Sequence, residues 1–253
     1  LALFLPASTS AQANSDHEFR WEGPLARGRW LIVANLNGSV SVEPASGDRV
    51  EIVAKKYWQR GDPNRVRIEL RRSGPQDGDV RVCALWDDGA SCDERGRWQA
   101  GHRERNAGDV SVEFTVRLPQ GVNVRLSTVN GRISVRGASG EIAASSVNGG
   151  LSIATTAGPV SATTVNGDVQ VELSRVGPED LRCETVNGSV ELRLPEGVDA
   201  ELSVRTVNGS IESDFPLPLR GRITPRQLDA TLGRGGPRLM LATVNGSVRL
   251  ERR

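Results

Sequence analysis

The tripeptide Val-Asn-Gly occurs six times, with its asparagine at Asn130, Asn148, Asn166, Asn187, Asn208 and Asn245, and Leu36-Asn37-Gly38 is a seventh, variant copy. Successive asparagines from Asn130 stand 18, 18, 21, 21 and 37 residues apart. A period near 20 residues is the signature of stacked coils, each too thin to bury its own apolar face and completed by its neighbours. Glycines sharpen the pattern, because Gly131, Gly140, Gly149, Gly158 and Gly167 fall nine apart. Each 18-residue coil therefore reads as two half-coils, each a short strand and a turn.

Aligning the copies on asparagine shows which positions face inward. Six residues before it stand Leu31, Val124, Ile142, Val160, Leu181, Leu202 and Leu239, and four before stand Val33, Leu126, Ala144, Ala162, Cys183, Val204 and Leu241. Three after stand Val40, Ile133, Leu151, Val169, Val190, Ile211 and Val248. Apolar residues at alternate positions on both sides of the turn predict period-2 strands with one buried face. Asn-Gly itself reads two ways: as a two-residue hairpin turn, or as a solenoid corner where asparagines stack between coils. The matched period favours corners. Thr or Ser stands two before asparagine in six copies (Thr128, Ser146, Thr164, Thr185, Thr206, Thr243) and Asn35 in the first, a polar ladder expected to line the corner. Asn130, Asn148, Asn166, Asn187 and Asn208 are expected in one row, with Asn37 and Asn245 extending it at its ends.

Composition agrees with a thin β structure: 28 Gly, but one Met, one Tyr and four Phe in 253 residues. Lys and Arg (32) balance Asp and Glu (31), which argues against nucleic-acid binding through a concentrated basic face. Leu1-Ala-Leu-Phe-Leu5 is far shorter than the roughly 20 apolar residues that span a bilayer. Followed by Ala11-Gln-Ala13, it reads as the end of a secretory signal peptide, residues 1–13, placing the mature chain from residue 14 in the periplasm or outside the cell. Export makes a Cys83–Cys92 disulfide plausible, stabilising by roughly 2–3 kcal/mol in the chain-entropy model. Cys183 falls on an inward position and reads as a small core residue.

Residues 14–253 read as one domain, with an irregular N-terminal β region (19–118) and the regular repeats with a last long coil (119–253). All five tryptophans lie in the first 98 residues, and Trp58, Trp86 and Trp98 are candidates for partner anchors or for packing over an open solenoid end. Segment 84–91 reads as a removable loop tip, and 215–238 as a basic excursion. No catalytic, metal or cofactor site is expected. His17 and His102 stand apart, the acids Asp87, Asp88, Asp93 and Glu94 lack the order of a calcium loop, and no nucleophile elbow, metal-binding helix or phosphate loop occurs. Glu191 and Glu212 share a register and Glu172 does not, so they read as solvated charges beside Arg193.

With this register in hand, the chain resembles the DUF4097 "Toastrack" family, whose members are also labelled adhesins. The resemblance rests on Arg29-Trp-Leu-Ile-Val-Ala-Asn-Leu-Asn-Gly-Ser-Val-Ser-Val42, on Phe114-Thr-Val-Arg-Leu-Pro-Gln-Gly121, and on the close from Gly233 to Leu250. It implies an all-β, β-helix-like solenoid in bacterial envelope proteins and no catalytic residues. The function expected is an exported, adhesin-like structural or interaction module that docks a protein or an envelope polymer. The alternative is an accessory or sensor component of envelope-stress signalling.

Overall fold

The computed structural model describes residues 12–13, 17–86, 89–99, 109–156, 158–216 and 221–253. They form two eleven-stranded sheets and a small two-stranded one. Each repeat gives one strand to each large sheet. The strand before the corner, such as Ile142–Asn148, joins a pre-corner sheet, and the strand after it, such as Leu151–Thr155, joins a post-corner sheet. Successive coils pair in parallel and in register: Val124, Ile142, Val160 and Leu181 align on one sheet, and Ile133, Leu151, Val169 and Val190 on the other. Buried and outward residues alternate along these strands, and the inward side chains of both sheets form one continuous core from Trp21 to Leu250. This is the stacked all-β solenoid that the repeat predicts. No α-helix occurs among the described residues.

The corner holds the coils in register through three contacts. The inward hydroxyl two residues before asparagine donates to the glycine carbonyl of the adjacent corner: Ser146 to Gly131, Thr164 to Gly149, Thr185 to Gly167, at 2.8–3.0 Å. Asn35 does this work in the first copy, donating to Gly38 O and Val112 O. The asparagine amides stack outside that line, each Nδ2 donating to the next Oδ1 at 2.7–2.8 Å. Glycine is demanded by close approach, since a Cβ on Gly149 would lie 1.9 Å from Gly131 O.

The order of the row differs from the expected one. It runs Asn37, Asn130, Asn148, Asn166, Asn187, Asn245, Asn208, so Asn245 is interior and Asn208 terminal. After Val190–Leu194 the chain skips one strand position, and Ala200–Asn208 is capped by the antiparallel strands Gln227–Leu232 and Gly221–Thr224. Arg238–Asn245 then fills the vacant slot, pairing in parallel with Leu181–Asn187 on one side and Ala200–Asn208 on the other. Leu239 and Leu241 carry the same inward phase as Leu202 and Val204, so the phase alone does not say which coil takes which slot. The advantage lies at the edge, where an antiparallel hairpin covers a strand that would otherwise invite pairing with another chain.

The N-terminal end repeats the device. The chain leaves Val40–Pro44, lays down the antiparallel strands Arg49–Tyr57 and Arg67–Ser73, and returns to fill the gaps. Asp79–Leu85 pairs in parallel with Trp30–Ala34, and Ser111–Leu118 with Val40–Pro44. These two strands make one coil whose corner is replaced by residues 86–110. Segment 84–91 is therefore not a free loop tip: Ala84 and Leu85 end a core strand and are fully buried. Asp109 closes the insertion by accepting backbone N–H groups from Gly61, Arg60 and Gln59.

Three outcomes test this account. Asn166→Ala, which breaks two ladder contacts at the surface, should cost on the order of 1 kcal/mol in chemical denaturation. Val190→Asp, which buries an unpaired charge, and Gly149→Ala should each cost several times more; equal tolerance would show the inward register to be wrong. Cys83 and Cys92 are bonded and Cys183 is buried, with burial pushing its thiol up. Labelling of the non-reduced protein should thus detect no native thiol and one after denaturation. The backbone hydrogen bond from Gly61, followed by that from Arg60, holds the Asp109 carboxyl below its ordinary value. Its tie to loop 59–61 should persist above the usual aspartate range and be lost only as pH falls through the depressed value, which an NMR titration reads directly.

Candidate functional site

The outer faces of the two sheets differ in chemistry. On the C-terminal strands of the post-corner sheet, outward charges pair: Arg193 with Glu191 on its own strand and with Glu251 across strands, Arg249 with Glu212, and Arg253 with Glu172. The Glu251 hydrogen bond and then the Glu191 charge push the Arg193 guanidinium further up. Exposed pairs of this kind contribute about 0–1 kcal/mol each and keep the face hydrated. The three glutamates singled out in the sequence thus lie in separate ion pairs.

The pre-corner sheet has an uncharged middle between charged flanks, with Arg125 on one side and the Arg182–Glu184 pair on the other. Its middle strands turn Ala143, Ser145 and Val147, then Ser161, Thr163 and Val165, outward, and none of these six is charged. The valine of each Val-Asn-Gly copy faces solvent beside the asparagine row. Val147, Val165, Val186, Val244 and Val207 are 38–53% exposed. Their adjacency follows from the coil spacing, and together they form a track one residue wide. The sequence held the signal: a strand position of outward phase that is filled by the same apolar residue in six copies.

Each end of this face is built up. At the N-terminal end the insertion folds back over it, and the Cys83–Cys92 bond ties a satellite core of Ala34, Leu85 and Ala90. Gly96 sits against Ile32 and accepts the Ser127 hydroxyl at 3.3 Å. Asp93 accepts the backbone N–H of Arg97 and of Arg95 and pairs with the Arg97 side chain, which holds its carboxyl low, so this acid stabilises a turn. At the C-terminal end the 221–232 hairpin borders an open groove of about 610 Å³ with Val186, Val207 and Val244 on its apolar side.

The remaining candidates disperse. Trp86 is buried and donates to Val110 O, while Trp58 is 39% exposed and tilts against His17 with ring centroids 4.4 Å apart. The Trp98 side chain, His102, Asp87 and Asp88 lie outside the described residues, as does the expected signal segment apart from Gln12–Ala13. In the basic excursion Arg234 is bound by Asp199, and Arg238 caps Asp180 through its backbone N–H. Among the described residues no three His, Cys, Asp or Glu side chains converge as a metal-ligand set, and no helix is long and apolar enough to cross a membrane.

Two solved structures match the chain at low similarity. A candidate cell adhesion protein from Clostridium sporogenes is 9% identical, covers 92% of this chain and 99% of its own, and has a TM-score of 0.44. A candidate adhesin from Bacteroides fragilis is 8% identical, covers 93% and 98%, and has a TM-score of 0.31. No curated protein matches the chain. The family model of Toastrack DUF4097 matches residues 102–251, from the end of the insertion through the last coil. That span takes in more than half of the sequence and every Val-Asn-Gly corner, and the chain belongs to the Toastrack DUF4097 family.

Proposed function

We propose that the chain is an exported, non-catalytic, adhesin-like module of the cell envelope that docks a protein or envelope polymer on the outer face of its pre-corner sheet. In this reading residues 1–13 direct export and residues 14–253 act as one domain. The observation that carries it is the asymmetry of the two faces. One carries a cluster of ion pairs that favour water on its C-terminal strands, and the other presents small uncharged side chains on its middle strands and a line of exposed valines. Flat surfaces poor in charge and rich in apolar contact are where macromolecules dock at low desolvation cost. A non-catalytic reading is supported by the outward acids, which lie in ion pairs and do not converge with other ionisable groups as a catalytic site requires. Recognition is carried instead by a rigid scaffold and by the disulfide-tied insertion beside it.

The double change Ser145→Glu and Thr163→Glu places two charges in the middle of this face without touching the core. Cosedimentation of the mature protein with isolated cell-wall polymer and with envelope protein fractions should lose the bound fraction in the double variant. Because the two positions are cross-strand neighbours, the like charges should lower its stability by about 1 kcal/mol and leave the fold intact. A matched change on the opposite face, Glu191→Gln, should leave binding intact. Glycan or peptide turnover by the purified protein, abolished by one carboxylate substitution, would overturn the reading.

A further inference from the structure

The groove at the C-terminal end of the valine track has a chemistry of its own. Val186, Val244 and Val207 line it, and Val165 and Val147 continue the track away from it along the corner. Four strand steps of about 4.8 Å give these five exposed valines a length of about 19 Å. Two arginines stand at the groove end. Arg205 lies on the strand of Val207, and Arg226 opens the hairpin strand beside it, with Arg226 O accepting the Thr206 N–H. Neither guanidinium is in an ion pair among the described residues. The acids nearby are engaged: Glu184 by Arg182 at 2.7 Å, and Asp229 by the Ser203 hydroxyl and the Gln227 amide. The site is thus an apolar track, one side chain wide, with two arginines at one end against a single acid on its wall, Glu184, which is tied to Arg182.

We propose that this groove binds a single-chain anionic amphiphile, a long-chain carboxylate with its head between Arg205 and Arg226 and its tail along the valine track. The width decides against a peptide. The pre-corner strands spend their backbone groups on parallel neighbours to either side, and the asparagine amides beside the track are tied into the ladder. A peptide laid along it would gain no backbone hydrogen bonds from the protein, whereas an alkyl chain needs none. The length fits as well, since an extended hexadecanoate chain is about as long as the track. The charge fits the head, because planar guanidinium groups match a carboxylate in two-point geometry. The volume falls within the roughly 300–1,000 Å³ of small-molecule sites. This inference goes beyond the docking function and does not depend on it.

Isothermal titration of the mature protein with hexadecanoate, kept below its micellar concentration, tests the site. Saturable binding of one chain per protein is expected, weakened at least tenfold when hexadecanol or the hexadecyltrimethylammonium ion replaces it, and absent for butanoate. The double variant Arg205→Gln and Arg226→Gln should lose at least tenfold in affinity along with most of the salt dependence. The triple variant Val186→Thr, Val207→Thr and Val244→Thr keeps β-branched shape but adds hydroxyls, and should lose at least tenfold with unchanged melting. Because the valines and Thr163 also belong to the proposed docking face, the arginine double variant separates the two sites: it should lower hexadecanoate affinity and leave cosedimentation with envelope fractions unchanged. No saturable binding by the parent, equal affinity for the cationic amphiphile, or association with intact phosphatidylglycerol vesicles in place of the monomer would overturn the proposal.

Discussion

The structure depends on how closely two backbones can approach at a corner. Stacked coils must meet at strand spacing all the way round, and a turn is where side chains and carbonyls obstruct this. The Asn-Gly step removes the obstruction, because the glycine leaves room for the neighbouring glycine carbonyl that a methyl group would strike. The carbonyl so admitted is then claimed by a buried hydroxyl, from Thr164 or Thr185 for example, which satisfies both polar groups inside the core. Asparagine adds a second tie on the outside. The three residue types of the corner are thus consequences of one spacing, and the regular sheets on either side inherit their register from it.

A corner that fixes register also fixes which side chains are displayed. Outward positions of the C-terminal post-corner strands carry charges that are held in ion pairs. Those of the pre-corner strands are short and uncharged in the middle coils, and valine-lined along the corner. Nothing in the mechanics of stacking requires this difference, since either chemistry suits an outward strand position. The division between a hydrated face and a face open to contact therefore belongs to what the protein does more than to how it folds.

The solenoid and its inward register were legible because independent copies agree at the same offsets, so Val124, Ile142, Val160 and Leu181 each support the others. The Cys83–Cys92 bond was legible from the short spacing of the two cysteines in a chain expected to be exported. The slot taken by the last coil was not. Leu239 and Leu241 match the inward phase of every other coil, and a 37-residue spacing reports an excursion without saying where the chain returns. The loop at 84–91 was misread for a related reason: Ala84 and Leu85 continue a strand whose partner, Trp30–Ala34, lies some fifty residues earlier. The valine track was visible but passed over, because valine in a strand reads as core until its phase is counted.

The return of the chain to fill a vacant slot has a mechanical consequence. An ordinary solenoid pulled at its end peels away one coil at a time, each step breaking a single interface. Here the strands nearest the C-terminus, Arg238–Asn245 and Val248–Arg252, lie inside the stack with a parallel partner on both sides. Tension applied there has no outermost coil to unwind. It must shear two ladders of backbone hydrogen bonds at once, together with the Asn187–Asn245–Asn208 amides that cross them. The chain is threaded so that its last coil is clamped between its own earlier turns, as a rope is held under the loops of a hitch.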